Sequence, residues 1–458
     1  MHALLVGRFH AVTASQREWL KSLRSLKVDR IFCVLTSANH SGTRRNPLDA
    51  EMRSELLTPA LRESGKPFEL VSIADIPETQ AWVQHVVDSV QAKTGVTLSG
   101  GNTQVYTANR EVESLFAARG FGTVAPSVQG LTPYELVMRI VEGREWESQA
   151  SPETVALYRR VGMVEKLKAL FGQKLVNDDG ELGHLRDFAS YGAQMDAALK
   201  QKLEDLLPWV VPGLIVDKGC GTGKLLVELS RLWPQSAFVG VDLSREFLRL
   251  CDENTYFSEH VELVGGNIID RQLANGSAST VIFSSVTHEI YSYTGYSLAE
   301  LDRALTNASS ELRSGGRVLM RDGVSPGQAP WRMRLLNEAT QEQFKKFAVE
   351  FKHGQGAKHE WVGADEVRLS AHLANEFICK KDYLKNWHIE VHEEYGALTL
   401  EGWGQALEKA GLKPLLLKGY VNGWIEKNRY EGTVALFDDA GAPVPWPATN
   451  CVVVGEKP

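Results

Sequence analysis

The chain is 458 residues long, too long for one ordinary core at ~100–200 residues per domain, so two to four domains are expected. Hydrophobic residues make up 43% and charged residues 23%, the balance of a globular protein and not of a disordered one. A net charge of −7 argues against long nucleic acid as partner, since it lacks the basic excess that phosphate neutralisation requires.

The first residues read as a strand, His2–Val6, followed by an amphipathic helix around Arg17–Leu26 and a second strand, Ile31–Leu35. Alternation continues through a strand at Phe68–Ser72, a helix from about Gln80 to Lys93, a strand at Val96–Ser99, a helix at Arg110–Ala118 and a short strand at Gly122–Ala125. Strands alternating with helices predict a parallel sheet covered by helices.

Short polar and glycine-containing strings punctuate these elements. Gly7-Arg8-Phe9 follows the first strand, and Ser37-Ala-Asn-His-Ser41-Gly-Thr43-Arg-Arg-Asn46-Pro47 with Arg53 follows the second. Asp75-Ile-Pro, Trp82-Val83, Gly100-Gly101-Asn102 and Gly143-Arg-Glu-Trp146 come after them. In order and spacing the series resembles the archaeal-type nicotinamide mononucleotide adenylyltransferases across nearly all of residues 1–170. The resemblance implies a fold that binds a nucleotide or pyridine-like ring, with Trp82 stacking and Ser37, Asn46 and Arg53 making polar contacts.

The departures from that pattern bear on activity. The family carries an HxGH signature whose imidazoles stabilise phosphates, and the corresponding positions here hold Thr13 and Gln16, with His10 too early to stand in. Its second signature leads to an arginine, whereas Thr132-Pro-Tyr-Glu-Leu-Val137 ends in valine. Each lost donor of this kind is worth ~3 kcal/mol of transition-state stabilisation, so the first domain is expected to be inactive in nucleotidyl transfer and to serve as a ligand-binding or scaffold domain.

After Leu131 the pattern turns helical, through Tyr134–Glu142 and Pro152–Phe171, and Asn177-Asp-Asp-Gly180 reads as a turn at a boundary. This gives domains at 1–177 and 178–458, the second opening with a helix at Tyr191–Leu207. Strands are then predicted at 213–217, 237–242, 261–265, 279–285 and 316–321, with two more near 413–420 and 449–456. A helical, charged insertion at 325–395 and an aromatic one at 421–448 interrupt them.

The apolar run Leu214-Ile215-Val216 leads into Asp217-Lys218-Gly219-Cys220-Gly221-Thr222-Gly223, and Phe238-Val-Gly-Val-Asp242 follows at the distance where a carboxylate meets ribose hydroxyls. The glycines allow close backbone approach, and Asp217 can accept from a ligand amino group. Gly266-Asn267-Ile268-Ile269-Asp270 follows the third strand of the set, with Asn267 and Ile268 placed to flank a base, and Ser284 ends the fourth strand. This layout resembles the class I S-adenosylmethionine-dependent methyltransferases, from about residue 180 to the C-terminus. The resemblance implies S-adenosyl-L-methionine as cofactor and a fold of two doubly wound, Rossmann-like α/β domains.

Past the fourth strand, Val-Thr-His288-Glu289-Ile-Tyr291 falls where a doubly wound sheet meets its ligand. His288 is a candidate proton acceptor, Glu289 can orient it and Tyr291 can bind substrate; alternatively His288 and Glu289 cap the following helix. Arg321 and Asp322, after the fifth strand, can hold substrate or pair within the protein. The insertion offers His353, His359, His372, His388 and His392 among Glu376, Glu390, Glu393 and Glu394. Without HExxH or clustered cysteines it reads as a substrate-covering helix and not as a metal centre, and its aromatics, Trp361, Phe377, Trp387, Tyr395, Trp403, Tyr420 and Trp424, as core or lid.

The expectation is a methyltransferase acting on an oxygen or nitrogen of a small or nucleotide-like acceptor. Two alternatives stay open: a bifunctional nucleotidyltransferase and methyltransferase, and an RNA-binding or regulatory protein that senses the cofactor. Five cysteines without CxxC spacing and no apolar run of ~18 residues predict a cytoplasmic protein without a membrane span.

Overall fold

The computed structural model describes residues 1–76, 81–173, 176–181 and 198–458. They form two compact units, Met1–Gly180 and Glu181–Pro458.

The first unit is built on a five-stranded parallel sheet of β1 (His2–Gly7), β2 (Arg30–Leu35), β3 (Phe68–Ser72), β4 (Thr103–Tyr106) and β5 (Gly122–Val124), in the order β3-β2-β1-β4-β5. Both faces are covered, which is why its inner strands are continuously apolar. Ala3, Leu5, Ile31, Cys33 and Leu35 enter one core, while Leu4, Val6, Phe32 and Val34 enter the other.

Several expectations for this unit are corrected. The strand placed at Val96–Ser99 falls instead at β4, because Gly100 and Gly101 turn the chain first and the Asn102 amide fastens that turn by bonds to Ser99 N and Thr97 O. The first helix runs Ala14–Ser22 and not around Arg17–Leu26, because Thr13 caps it. The helix Ala50–Glu63, which packs Leu56, Leu57, Ala60 and Leu61 into the core, was not anticipated. Pro152–Phe171 is two helices, Pro152–Arg160 and Met163–Gly172, hinged at Gly162 with φ of 62°. The helix expected from Gln80 is described from Trp82 to Thr94, and Gln80 itself lies outside the described residues.

The second unit contains a seven-stranded sheet in the order β14-β16-β10-β9-β6-β7-β8. Its strands are β6 (Leu214–Lys218), β7 (Ala237–Asp242), β8 (Val261–Gly265), β9 (Ala278–Ser284), β10 (Leu312–Asp322), β14 (Lys413–Tyr420) and β16 (Asn450–Glu456), and β16 alone runs antiparallel to its neighbours. The order reverses direction at β6 and β9, and the carboxyl ends of these strands therefore open a crevice. Residues 191–197 of the helix expected at Tyr191–Leu207 lie outside the described residues, and its described part is Leu199–Leu206.

The insertion is not purely helical. Three of its strands, β11 (Pro330–Leu335), β12 (His359–Trp361) and β13 (Glu366–Ser370), join β15 (Val434–Asp438) of the aromatic insertion in a four-stranded antiparallel sheet of order β12-β13-β11-β15. Met333, Leu335, Val367 and Leu369 alternate with arginines and pack on Phe344, Phe347, Phe351, Phe377 and Tyr430, a core separate from that of the seven-stranded sheet. Among the described residues no helix is long and apolar enough to cross a membrane.

Candidate active site

The turn after β6 brings the chain within reach of β7. Gly219 and Cys220 N–H donate to Val241 O at 2.7 and 3.1 Å, and Gly221 N–H donates to Asp242 Oδ2 at 2.9 Å. Gly219, Gly221 and Gly223 have φ of 87°, 52° and 75°, in the left-handed region that favours glycine. A Cβ on Gly223 would stand 2.5 Å from Cys251 Sγ, and one on Gly219 would stand 2.8 Å from Val286 Cγ2. Asp242 accepts from two backbone donors, Gly221 N–H and Ser244 N–H at 2.9 Å, which fix its carboxylate at the strand end.

Asp217 is 2% exposed, and its Oδ1 has no hydrogen-bond partner. Burial, with Asp242 nearby adding to it against the opposing pull of Lys202, pushes its pKa up to about 7. Ser284 Oγ, at the end of β9, is likewise buried without a partner. Buried polar atoms are nearly always satisfied, so two orphans at adjacent strand ends mark a place for a polar ligand. Asn267 Oδ1 accepts from Ile269 N–H at 3.0 Å and shapes the loop after β8, with Ile268 half-buried against the core.

Sequence reasoning missed Lys218. Fully buried, it pairs with Glu311 at 2.9 Å and donates to Asp270 O at 2.9 Å, tying β6 to that loop; a lysine ending an apolar strand was the available signal.

The helix Thr287–Tyr293 starts next to the glycine turn, through the contact of Gly219 with Val286. Asp322, at the end of β10, accepts from Thr287 N–H at 2.7 Å, Thr287 Oγ1 at 2.6 Å and His288 N–H at 3.1 Å. The helix is thus capped by Asp322, which corrects the reading of His288 and Glu289 as caps. The same carboxylate meets His288 Nδ1 at 2.6 Å, so Asp322 and not Glu289 orients the ring. Burial alone would lower the His288 pKa, but Asp322 and Glu393 outweigh it and hold it well above its usual value. Burial likewise opposes ionisation of Asp322, yet His288 and its hydrogen bonds bring its pKa down to about 2.

Glu393, named from sequence only among the acids of the insertion, reaches this ring from there. Its Oε2 stands 3.5 Å from His288 Nε2, and its Oε1 accepts from Tyr293 Oη at 2.5 Å. The return of the insertion is locked against β10: a Cβ on Gly323 would lie 2.6 Å from Tyr395 O, Glu376 accepts from Tyr395 N–H and Gly396 N–H, and Tyr395 sits edge-on to His288 at 5.1 Å. Tyr291 packs on Tyr296; burial and then Glu394 raise its phenol to about 12, so it stays neutral.

Of the two roles open to Arg321 and Asp322, the structure shows pairing within the protein. Arg321 and Asp322 are 5% and 4% exposed and engaged within the protein, Arg321 with Asp205, Ser285 and Tyr420. His388 and His392 do not share a helix, since Trp387–Glu390 ends between them; both line a cleft of about 420 Å³ with Lys346, Val349, Glu350 and Trp387.

In the first unit the residues expected to contact ligand are largely committed to the fold. Arg53 is fully buried and donates to Asp49 O, Arg8 O, Thr36 O and Ser37 O, which corrects its assignment to substrate. Asn46 Oδ1 stands 3.1 Å from His10 Nε2 and is buried, so it too is turned away from a ligand role. Ser37 Oγ donates to Asp75 Oδ1 at 3.0 Å. Trp82 is half-buried, edge-on to Phe116 at 5.9 Å. Thr13 and Gln16 form a reciprocal capping box, and Val137 packs in the core. Burial, with Arg53 beside it, holds His10 well below its usual pKa, so it carries no charge for a phosphate.

Residues 216–318 match the family model described as a methyltransferase domain. The N-terminal part is similar to nicotinamide-nucleotide adenylyltransferases. It is 32% identical to that of Pyrococcus furiosus over 177 residues, 36% of this chain and 87% of the relative. It is 30% identical to that of Pyrococcus abyssi over 175 residues, 37% of this chain and 89% of the relative. Among solved structures, a possible histamine N-methyltransferase from Thermotoga maritima is 13% identical, covering 60% of this chain and 97% of that one at a TM-score of 0.33. A methyltransferase from Archaeoglobus fulgidus is 12% identical, covering 59% and 100% at a TM-score of 0.34.

Proposed function

Because the N-terminal part of this chain belongs to the nicotinamide-nucleotide adenylyltransferase family and residues 216–318 form a methyltransferase domain, we propose that the protein methylates an oxygen or nitrogen of a small or nucleotide-like acceptor. The cofactor is S-adenosylmethionine. The residues fit it: the glycine cradle that a Cβ would fill, Asp242 at the end of β7, and the orphaned Asp217 Oδ1 and Ser284 Oγ. That conjunction at one strand-end crevice carries the reading.

When bound, S-adenosylmethionine supplies an electrophilic methyl group. Asp242 holds vicinal hydroxyls, and Asp217, ionised on meeting an ammonium group, holds the amino acid end. Ser284 donates at the floor of the crevice. The proton released by the acceptor goes to the His288–Glu393 pair, whose ring Asp322 keeps aligned. Methyl transfer depends mainly on alignment, so these groups act chiefly by positioning.

The N-terminal part, with Thr13, Gln16 and Val137 where phosphate-side donors are expected, binds a ligand or serves as scaffold and does not transfer a nucleotide. The free cysteines accord with a cytoplasmic protein.

Calorimetry is the direct test. The protein binds S-adenosylmethionine, and Asp242→Ala weakens binding more than about tenfold, as loss of a charged hydrogen-bonding group should. Unchanged affinity in that variant removes the cofactor assignment. Incubation with labelled cofactor and pyridine or nucleotide compounds then identifies the acceptor.

A further inference from the structure

We propose that His288 Nε2, Glu289 and Glu393 form a binding site for one divalent transition-metal ion. One ligand atom from each lies within 4.8 Å of the other two. Bonds of about 2.1 Å to imidazole nitrogen and carboxylate oxygen place neighbouring donors about 3.0–3.4 Å apart, so closure by roughly an ångström to an ångström and a half, within reach of side-chain rotation, completes the shell.

The surroundings are those of a metal-bound imidazole. Asp322 Oδ1 takes the Nδ1 side at 2.6 Å, fixing the ring and leaving Nε2 turned towards Glu393. Asp322 is itself fixed by the N–H groups of Thr287, His288 and Gly323. Glu393 is oriented by Tyr293 Oη on its far oxygen, and its chain neighbour is pinned to the same helix, Glu394 N–H donating to Ser292 Oγ at 2.9 Å. The three donors thus come from two segments already clamped together, and two of them have an outer partner that belongs to neither donor set nor solvent. Among the described residues this is the one cluster with such spacing.

One imidazole and two carboxylates suit manganese, iron(II) or zinc better than magnesium or calcium, which favour all-oxygen shells. Three protein ligands leave positions open, the pattern of a working and not a structural site. The inference rests on the proposed methyl transfer only in what the open positions do there: they hold an acceptor through oxygen, which selects a hydroxyl or chelating hydroxy acid over an amine.

The test uses the full chain, stripped with chelator and titrated with MnCl2 by electron paramagnetic resonance of the free ion and with ZnCl2 by calorimetry. The expected result is one saturable site per chain, weakened about tenfold or more in Glu289→Gln, Glu393→Gln and His288→Ala. S-adenosylmethionine binding, measured on the same samples, reports that each variant is folded. No saturable binding of either ion up to about 1 mM, or affinity unchanged in Glu393→Gln, overturns the site and leaves an ion-pair cluster. If metal binds and S-adenosylmethionine does not, the methyltransferase reading falls and the metal site stands. If only S-adenosylmethionine binds, the reverse holds.

Discussion

Asp217 is an acid kept near neutrality by its place at the end of a buried strand. Its folded pKa of about 7 lies above the usual 3.8, so between those values the folded chain holds a proton that the unfolded chain has lost. Stability conferred by that difference is present below the unfolded value and is lost as pH rises towards 7, by up to about 4 kcal/mol as an upper figure. Asp217→Asn is therefore expected to raise the melting temperature of the cofactor-free protein at pH 8 and not at pH 4. Cofactor binding runs the other way, since an ammonium group favours the carboxylate. Affinity for S-adenosylmethionine should rise about tenfold from pH 6 to pH 8 in the wild type and stay flat in Asp217→Asn, as calorimetry at the two pH values would show. At this scale the strand-end acids Asp217 and Asp242 were legible, because a carboxylate after an apolar run stands out. Arg53 was legible as part of a motif but not as a buried donor to four carbonyls. Glu393 was not legible, because only the path of the insertion brings it beside His288.

Single elements separate what periodicity can show from what it cannot. β6 to β10 read clearly because parallel strands buried on both faces are short apolar runs. β11 hid in a charged stretch, yet Trp331-Arg-Met-Arg-Leu335 alternates with the period of a half-covered strand, and Met333 and Leu335 are its buried members. The helix Ala50–Glu63 was overlooked behind a polar string that ends in its own cap, Asp49. Two predictions belong here. Glu311→Ala leaves Lys218 buried and unpaired and frees the loop that Glu311 holds through Gln272 N–H and Leu273 N–H, at an expected cost of about 3–5 kcal/mol in chemical denaturation. Thr13→Ala removes one half of a capping box and should cost about 1 kcal/mol, with no gain or loss of nucleotidyl transfer.

The molecule as a whole joins two α/β units with separate sheets and separate cores. Their fold class and kinship were readable from motif order alone, since glycine turns after strands are fixed by geometry that sequence records. The chemistry of the first unit was readable as a loss, and its structure gives the replacements another use, in a helix cap and in a core. Incubation of the full chain with ATP and nicotinamide mononucleotide should therefore release no pyrophosphate above background; release abolished by a substitution in the first unit would restore the bifunctional reading. The second sheet, built from strands of both insertions, was the largest feature that sequence did not disclose, because its strands are far apart along the chain and pair only once folded.

The contact between Gly219 and Val286 interlocks two halves of the crevice that chemistry would treat as independent. One side cradles the methyl donor, and the other begins the helix that carries His288. A Cβ added at 219 would meet the side chain of Val286, the residue that leads into that helix, so the donor side is not free to change unless the acceptor side changes with it. Successive substitutions along this seam are therefore expected to be permitted in pairs and rejected singly, a form of historical constraint written into a space smaller than one carbon atom.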